Sequence, residues 1–189
     1  MTTELNFMEN FETPERLAKY ARGELTLQDL RALTHEEVMY LAEMGYHLFQ
    51  QSRYKDAKGV YEGLAVISPD VGYFHAALGA IQLEAREAGL ADEEFSLDLA
   101  LTHLNRALEL NPQDIASCVN RAEVYLYQAK VVEAVNDLKR AVEMDPDGKN
   151  EQGNRARRLA REMLAAIERE EGKKSEEGKQ PESPKKPGK

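Results

Sequence analysis

The chain has no tryptophan, a single cysteine and no excess of basic residues, and each shortage removes a class of protein. With Cys118 alone, neither an internal disulfide nor a cysteine-based zinc site can form. The four histidines, His35, His47, His75 and His103, keep no metal-ligand spacing with one another or with Cys118, so no metal is expected. His35-Glu36-Glu37 lacks the second histidine of a zinc-protease helix. A phosphate-binding glycine loop and a nucleophile elbow are also missing, so neither a cofactor nor catalysis is expected. The apolar runs fall far short of the ~20 residues that span a bilayer, which argues against stable membrane insertion. Residues Met1 to Asn10 carry Glu4 and Glu9 and show no basic region leading into an apolar one. A secretory leader is therefore not expected, and the cytoplasm is the expected compartment.

The formal net charge is −9. Six lysines and three glutamates between Gly172 and Lys189 give that stretch +3, which leaves −12 on the remainder. Phosphate backbones need lysine and arginine, so nucleic acid is not an expected partner. An acidic body is compatible with keeping an apolar partner in solution.

The 189 residues make one domain's worth of chain, rich in the helix formers Ala, Leu, Glu, Lys and Arg. One spacing organises them. Gly45, Ala57 and Pro69 stand twelve residues apart, as do Ala122, Ala134 and Pro146. Ala100 and Pro112 keep the second interval, while Gly79 to Ala100 is stretched to twenty-one. Pro112 to Pro146 is thirty-four residues, the period of the tetratricopeptide repeat. Small residues at such positions let two helices approach closely, and the proline ends the second helix of each pair. The expected fold is all-α: a tetratricopeptide superhelix of three helix pairs, with N-terminal helices before them and a capping helix after.

The expected organisation follows from caps and breakers. Residues 1–12 read as a flexible N-terminus. Residues 13–37 form an N-terminal helical region. Thr13-Pro14 starts its first helix, which ends near Gly23. Leu27 to Leu33 is a short amphipathic segment after Thr26. Thr34-His35-Glu36-Glu37 has capping-box form and opens the lead-in to repeat one. Repeat one spans 38–71, with Leu41, Met44, Gly45 and Leu48 on the packing side of its first helix and Ala57, Tyr61 and Leu64 on its second. Repeat two spans 72–114 and contains a nine-residue insertion around Glu87 to Phe95. Glu87, Asp92, Glu93 and Glu94 make that insertion polar and Gly89 breaks the helix pattern, so an exposed loop or a helix extension is expected, and its deletion is expected to leave a folded chain. Repeat three spans 115–148, with Cys118 among its buried positions. The capping helix covers 149–171, with Leu159, Met163, Leu164 and Ile167 on one stripe. Residues 172–189 contain no apolar side chain and read as a disordered tail.

Tetratricopeptide arrays bind extended peptides in a concave groove lined by the first helix of each pair. The resemblance places Met39, Ala42, Tyr46 and Phe49 there from repeat one, and Tyr73, Ala76, Ala80 and Leu83 from repeat two. Repeat three supplies Ala116, Val119, Asn120, Glu123 and Leu126. For Leu83, groove and core faces adjoin, and both readings stand. Relatives that hold the acidic C-termini of heat-shock chaperones use a Lys, Arg and Asn clamp. Here Ala42, Tyr46, Ala77 and Ala116 occupy four of the clamp positions, so that function is not expected.

The stretch from Leu27 to Gly89 resembles the class II chaperones of bacterial type III secretion, which guard hydrophobic translocators. The resemblance rests on Leu30-Arg31-Ala32-Leu33, Val38-Met39-Tyr40-Leu41-Ala42, Tyr46 and Phe49. It continues through Arg53-Tyr54-Lys55-Asp56-Ala57, Val60-Tyr61-Glu62-Gly63-Leu64, Tyr73-Phe74 and Ala77-Leu78-Gly79-Ala80. The insertion lies outside that family's usual plan, and Asn111-Pro112 with Asp145-Pro146 give repeat three a generic repeat form. The resemblance implies a chaperone whose partner is a protein or peptide with an extended apolar segment. The alternatives are an adaptor that assembles a bacterial complex without chaperone activity, and an enzyme's regulatory subunit. An open edge on the N-terminal helices makes a homodimer possible.

Overall fold

A computed structural model of the chain describes residues 15, 16, 19, 22–31, 33–90 and 95–177. Secondary structure among them is helical: α1 (Leu27–Arg31), α2 (His35–Gln50), α3 (Tyr54–Ile67), α4 (Gly72–Glu87), α5 (Leu97–Leu110), α6 (Ile115–Tyr127), α7 (Val131–Glu143) and α8 (Glu151–Glu177). The expected N-terminal flexibility and the helix start at Thr13-Pro14 lie outside the described residues, as do Asp92, Glu93, Glu94 and residues 178–189. Helix α8 continues past the expected boundary at Glu171 to Glu177. The lysines and glutamates after Gly172 are adequate helix formers, and the first proline there is Pro181.

Each helix follows from its local sequence. Thr34 caps α2 as its sequence form requires: its hydroxyl accepts the Glu37 amide at 3.2 Å, and the Glu37 carboxylate accepts the Thr34 amide at 2.8 Å. Ser96 and Asp114 cap α5 and α6 through their side-chain oxygens. Helix α3 ends at Ile67, two residues before Pro69. Helices α2, α4 and α6 end alike, each followed by a left-handed residue: Ser52 (φ 58°), Gly89 (φ 87°) and Ala129 (φ 56°). The next amide reaches back to the helix in each case, Arg53 to Leu48, Leu90 to Ala85 and Lys130 to Tyr125, at 2.9–3.0 Å.

This shared ending locates the insertion. From the small residue to the left-handed residue takes seven positions in Gly45–Ser52 and Ala122–Ala129, but ten in Gly79–Gly89. Thus three extra residues lengthen α4 by almost one turn, and six lie between Gly89 and Ala100. The expectation of an exposed loop or helix extension does not hold at the last residue of the insertion. Phe95 is fully buried in the core formed by α2, α3 and α4, so removing it opens a cavity there.

Helices α2 and α3, α4 and α5, and α6 and α7 pack most extensively as pairs, and α3 joins α4 as α5 joins α6. Helix α4 also packs on α6, and α6 on α8, so these three share one layer. The small residues sit where the helices meet. Ala57, Ala100, Ala122 and Ala134 are fully buried, and a methyl added at Gly45 would lie 3.0 Å from the Tyr61 ring. Cys118 is fully buried too, and burial pushes its thiol up. Ala134→Leu is expected to overpack the α6–α7 contact and cost about 1–3 kcal/mol in chemical denaturation; a loss near zero would show that Ala134 is not at a close contact. Two expected packing residues are not in the core: Leu164 on α8 is 60% exposed, and Met44 is 42% exposed. Extensive packing of α2 is on α3 alone among the described helices, so the flank carrying Met44 has no neighbour to cover it.

Candidate functional site

Along the layer of α4, α6 and α8 runs a half-open groove of about 420 Å³. Tyr46 and Phe49 come to it from α2, Tyr61 from α3, and Tyr73, Ala76, Ala77, Ala80, Ile81, Leu83 and Glu84 from α4. Asp114 at the head of α6, Ala116 and Asn120 on it, and Gln152 and Arg155 on α8 close the far end. Alanines at helical spacing leave room between the aromatic walls, because their side chains stop at one carbon. A second hollow adjoins the first across Tyr46 and Tyr73 and is lined by Glu36, Met39, Tyr40, Ala42 and Glu43.

The aromatic end is held from below. Buried Tyr61 donates its hydroxyl hydrogen to the Ala42 carbonyl at 2.9 Å and lies 3.2 Å from the Tyr73 hydroxyl. Burial pushes the Tyr61 phenol well above its ordinary value, and the neighbouring Tyr73 adds to that. Its ring meets Tyr73 edge-on, at 6.0 Å between centroids and 81°. Tyr61 thus fixes a floor, while Tyr46 and Tyr73 remain 45% and 48% exposed above it. Phe49 is partly buried against the core and touches Tyr54 edge-on, so it serves both wall and core.

The α8 end is polar. Arg155 donates to Glu123 at 2.6 Å and to Asn120 at 3.2 Å. Burial pushes the Glu123 carboxyl up, and the Arg155 guanidinium opposes that rise. Gln152 Oε1 is buried there with no hydrogen-bond partner among the described residues.

Tyr46, Phe49, Tyr73, Ala76, Ala80, Leu83 and Asn120 are brought together around the main groove, with Ala116 beside them. Leu83 is both wall and core, being 1% exposed. Met39 and Ala42 line the adjoining hollow instead, with the Ala42 side chain buried beneath it. Val119 is a correction: it is fully buried in the core of α6, α7 and α8 and lines neither hollow. It lies three residues before Ala122 and next to Cys118, on the stripe that α7 and α8 cover. Glu123 and Leu126 face a separate hollow with Glu87, Tyr127 and Leu159, and Glu123 reaches the main groove only through Arg155. Sequence reasoning missed Tyr61, Ile81, Glu84, Asp114, Gln152 and Arg155 as groove residues. A signal existed for two of them: Gln152 and Arg155 are polar residues two turns and one turn before Leu159, on the stripe that ought to be apolar.

No family model matches the chain. Sperm-associated antigen 1 of Rattus norvegicus is 29% identical over 147 residues, which cover 75% of this chain. The chain spans only 14% of that relative's length. The Yersinia enterocolitica type III secretion chaperone SycD, solved with a peptide of the translocator YopD, superposes with a TM-score of 0.59 at 22% identity. That match covers 74% of this chain and 98% of SycD. The first tetratricopeptide domain of Spaghetti (RPAP3), bound to an HSP90 peptide, superposes with a TM-score of 0.56 at 19% identity. It covers 69% of this chain and 96% of that domain. The chain thus has a tetratricopeptide-repeat fold, that of the type III secretion translocator chaperones it resembles.

Proposed function

We propose that the chain is a peptide-binding chaperone that holds an extended apolar segment of a secreted translocator-type protein in this groove. The observation that carries the reading is the groove itself: exposed Tyr46 and Tyr73 stand over a floor braced by Tyr61, with Ala76, Ala77 and Ala80 leaving room between walls. Exposed aromatics cost solubility, and a groove is where a partner covers them. The SycD complex with a translocator peptide supports the same use of this fold. The clamp positions Ala42, Tyr46, Ala77 and Ala116 carry no charge, which sets the groove apart from clamps for acidic C-termini.

The test uses a peptide selected on the full-length protein from a phage-displayed library of random peptides. Tyr46→Ala with Tyr73→Ala is expected to weaken that peptide at least about tenfold in calorimetric titration, since aromatic anchors are often worth about 2 kcal/mol. Both side chains are about half exposed, so helicity and melting temperature should change little. Undiminished affinity would place binding elsewhere. A full-length partner that is a soluble machine component, and not a secreted protein, would favour the adaptor reading.

A further inference from the structure

The groove's charge is one-sided. Glu84 on α4 and Asp114 at the head of α6 line the groove, with Glu123 near Glu84; the Asp114 carboxylate already accepts the Ala116 amide and the Ser117 hydroxyl. Arg155 is the one cation among the lining residues, and Glu123 and Asn120 already hold it. The adjoining hollow repeats the pattern, with Glu36 and Glu43 on its rim and no lysine or arginine among its lining residues. Burial pushes the Glu123 carboxyl up, the Arg155 guanidinium opposes that rise, and the nearby Glu87 and Glu84 add to it, so Glu84 stands beside an arginine already engaged by Glu123. Gln152 adds a buried acceptor, Oε1, that lacks a donor among the described residues.

A carboxylate entering here would meet Glu84 and Glu123 at reduced dielectric, whereas a cationic donor would find Glu84 as an acceptor. We infer that the bound segment is apolar along α2 and α4 and carries a lysine or arginine seated at the polar end, against Glu84 and Gln152. This rests on the groove being the peptide site. It makes the polar corner a specificity element: apolar anchors supply affinity, and the basic residue fixes direction and register.

The probe is again a peptide selected on the full-length protein from the random library, restricted to binders that Tyr46→Ala with Tyr73→Ala weakens. These binders should share a lysine or arginine at a fixed distance from their apolar residues. The strongest is synthesised with an acetylated N-terminus, so that its terminal amine cannot supply the charge. Replacing its basic residue by norleucine should weaken binding at least about tenfold on the wild-type protein. On Glu84→Gln, with circular dichroism confirming the fold, the same replacement should cost no more than about threefold, because the partner charge is gone. Tyrosine-sensitive binders without a shared basic residue, or an equal norleucine penalty on both proteins, would overturn the inference and leave the groove reading intact. Selection that yields no tyrosine-sensitive binder would overturn both.

Discussion

Asp137→Ala is expected to lower the free energy of unfolding by about 3–5 kcal/mol, a loss typical of breaking one side of a buried ion pair. Asp137 on α7 is 5% exposed and takes both hydrogen bonds of a fork from Arg121 on α6, from Nε and Nη2 at 2.7 Å each. The third arm of the same guanidinium reaches Asn105 Oδ1 on α5 at 2.7 Å. One arginine therefore ties three consecutive helices. Its hydrogen bonds to Asp137 hold the guanidinium above its ordinary value, against the effect of burial. With Asp137 truncated, a largely buried cation keeps the Asn105 carbonyl and the face of the Tyr125 ring, 5.9 Å from its centroid. Asp137→Asn retains the shape and one acceptor, so its loss should be smaller. Urea denaturation of the two variants separates the cases. A loss under about 1 kcal/mol for Asp137→Ala would show that the arginine finds water or another acceptor, and that the pair adds little.

The spacing of small residues was readable because it reports a distance. Gly45, Gly79 and Ala122, with Ala57, Ala100 and Ala134, sit where two helix backbones come together, and no larger side chain fits there. The Thr34 capping box was equally plain, since both partners lie within one turn. Faces were harder. Met44 and Val119 both lie beside residues of a correctly read stripe, yet one is exposed and the other buried. A helix wheel gives angles, but which sector is covered depends on which neighbours exist, and that is a property of the stacked array. The groove shows the same division. Its aromatic half, on α2 and α4, could be read from repeat register. Its polar half needed the register of α8 on α6, a contact between residues 120 and 155 that the expectation of a capping helix alone does not give. Phe95 illustrates the cost of reading composition: one aromatic in an acidic insertion turns out to be core.

The close approach of α4 and α5 predicts a rescue. A Cβ built on Gly79 would lie 2.5 Å from Leu104 Cγ and 2.7 Å from its Cδ2, nearer than real side chains come. The obstacle is the branch point of a fully buried leucine, which cannot swing aside. Gly79→Ala should therefore cost about 1–3 kcal/mol through overpacking, although alanine favours helix over glycine. Leu104→Ala alone should cost about 2–5 kcal/mol, because it empties the space beside Leu83, Ala100 and Val124. In the double variant the new methyl enters the space the leucine left. The two losses should then fall short of additivity by at least about 1 kcal/mol, as expected for residues in direct contact. Leu83 belongs to this cluster and also lines the groove, so Leu104→Ala should weaken the selected peptide as well, and the double variant should regain part of that affinity. Additive losses would show that Gly79 and Leu104 do not meet, and would remove the packing that sets the groove wall at Leu83.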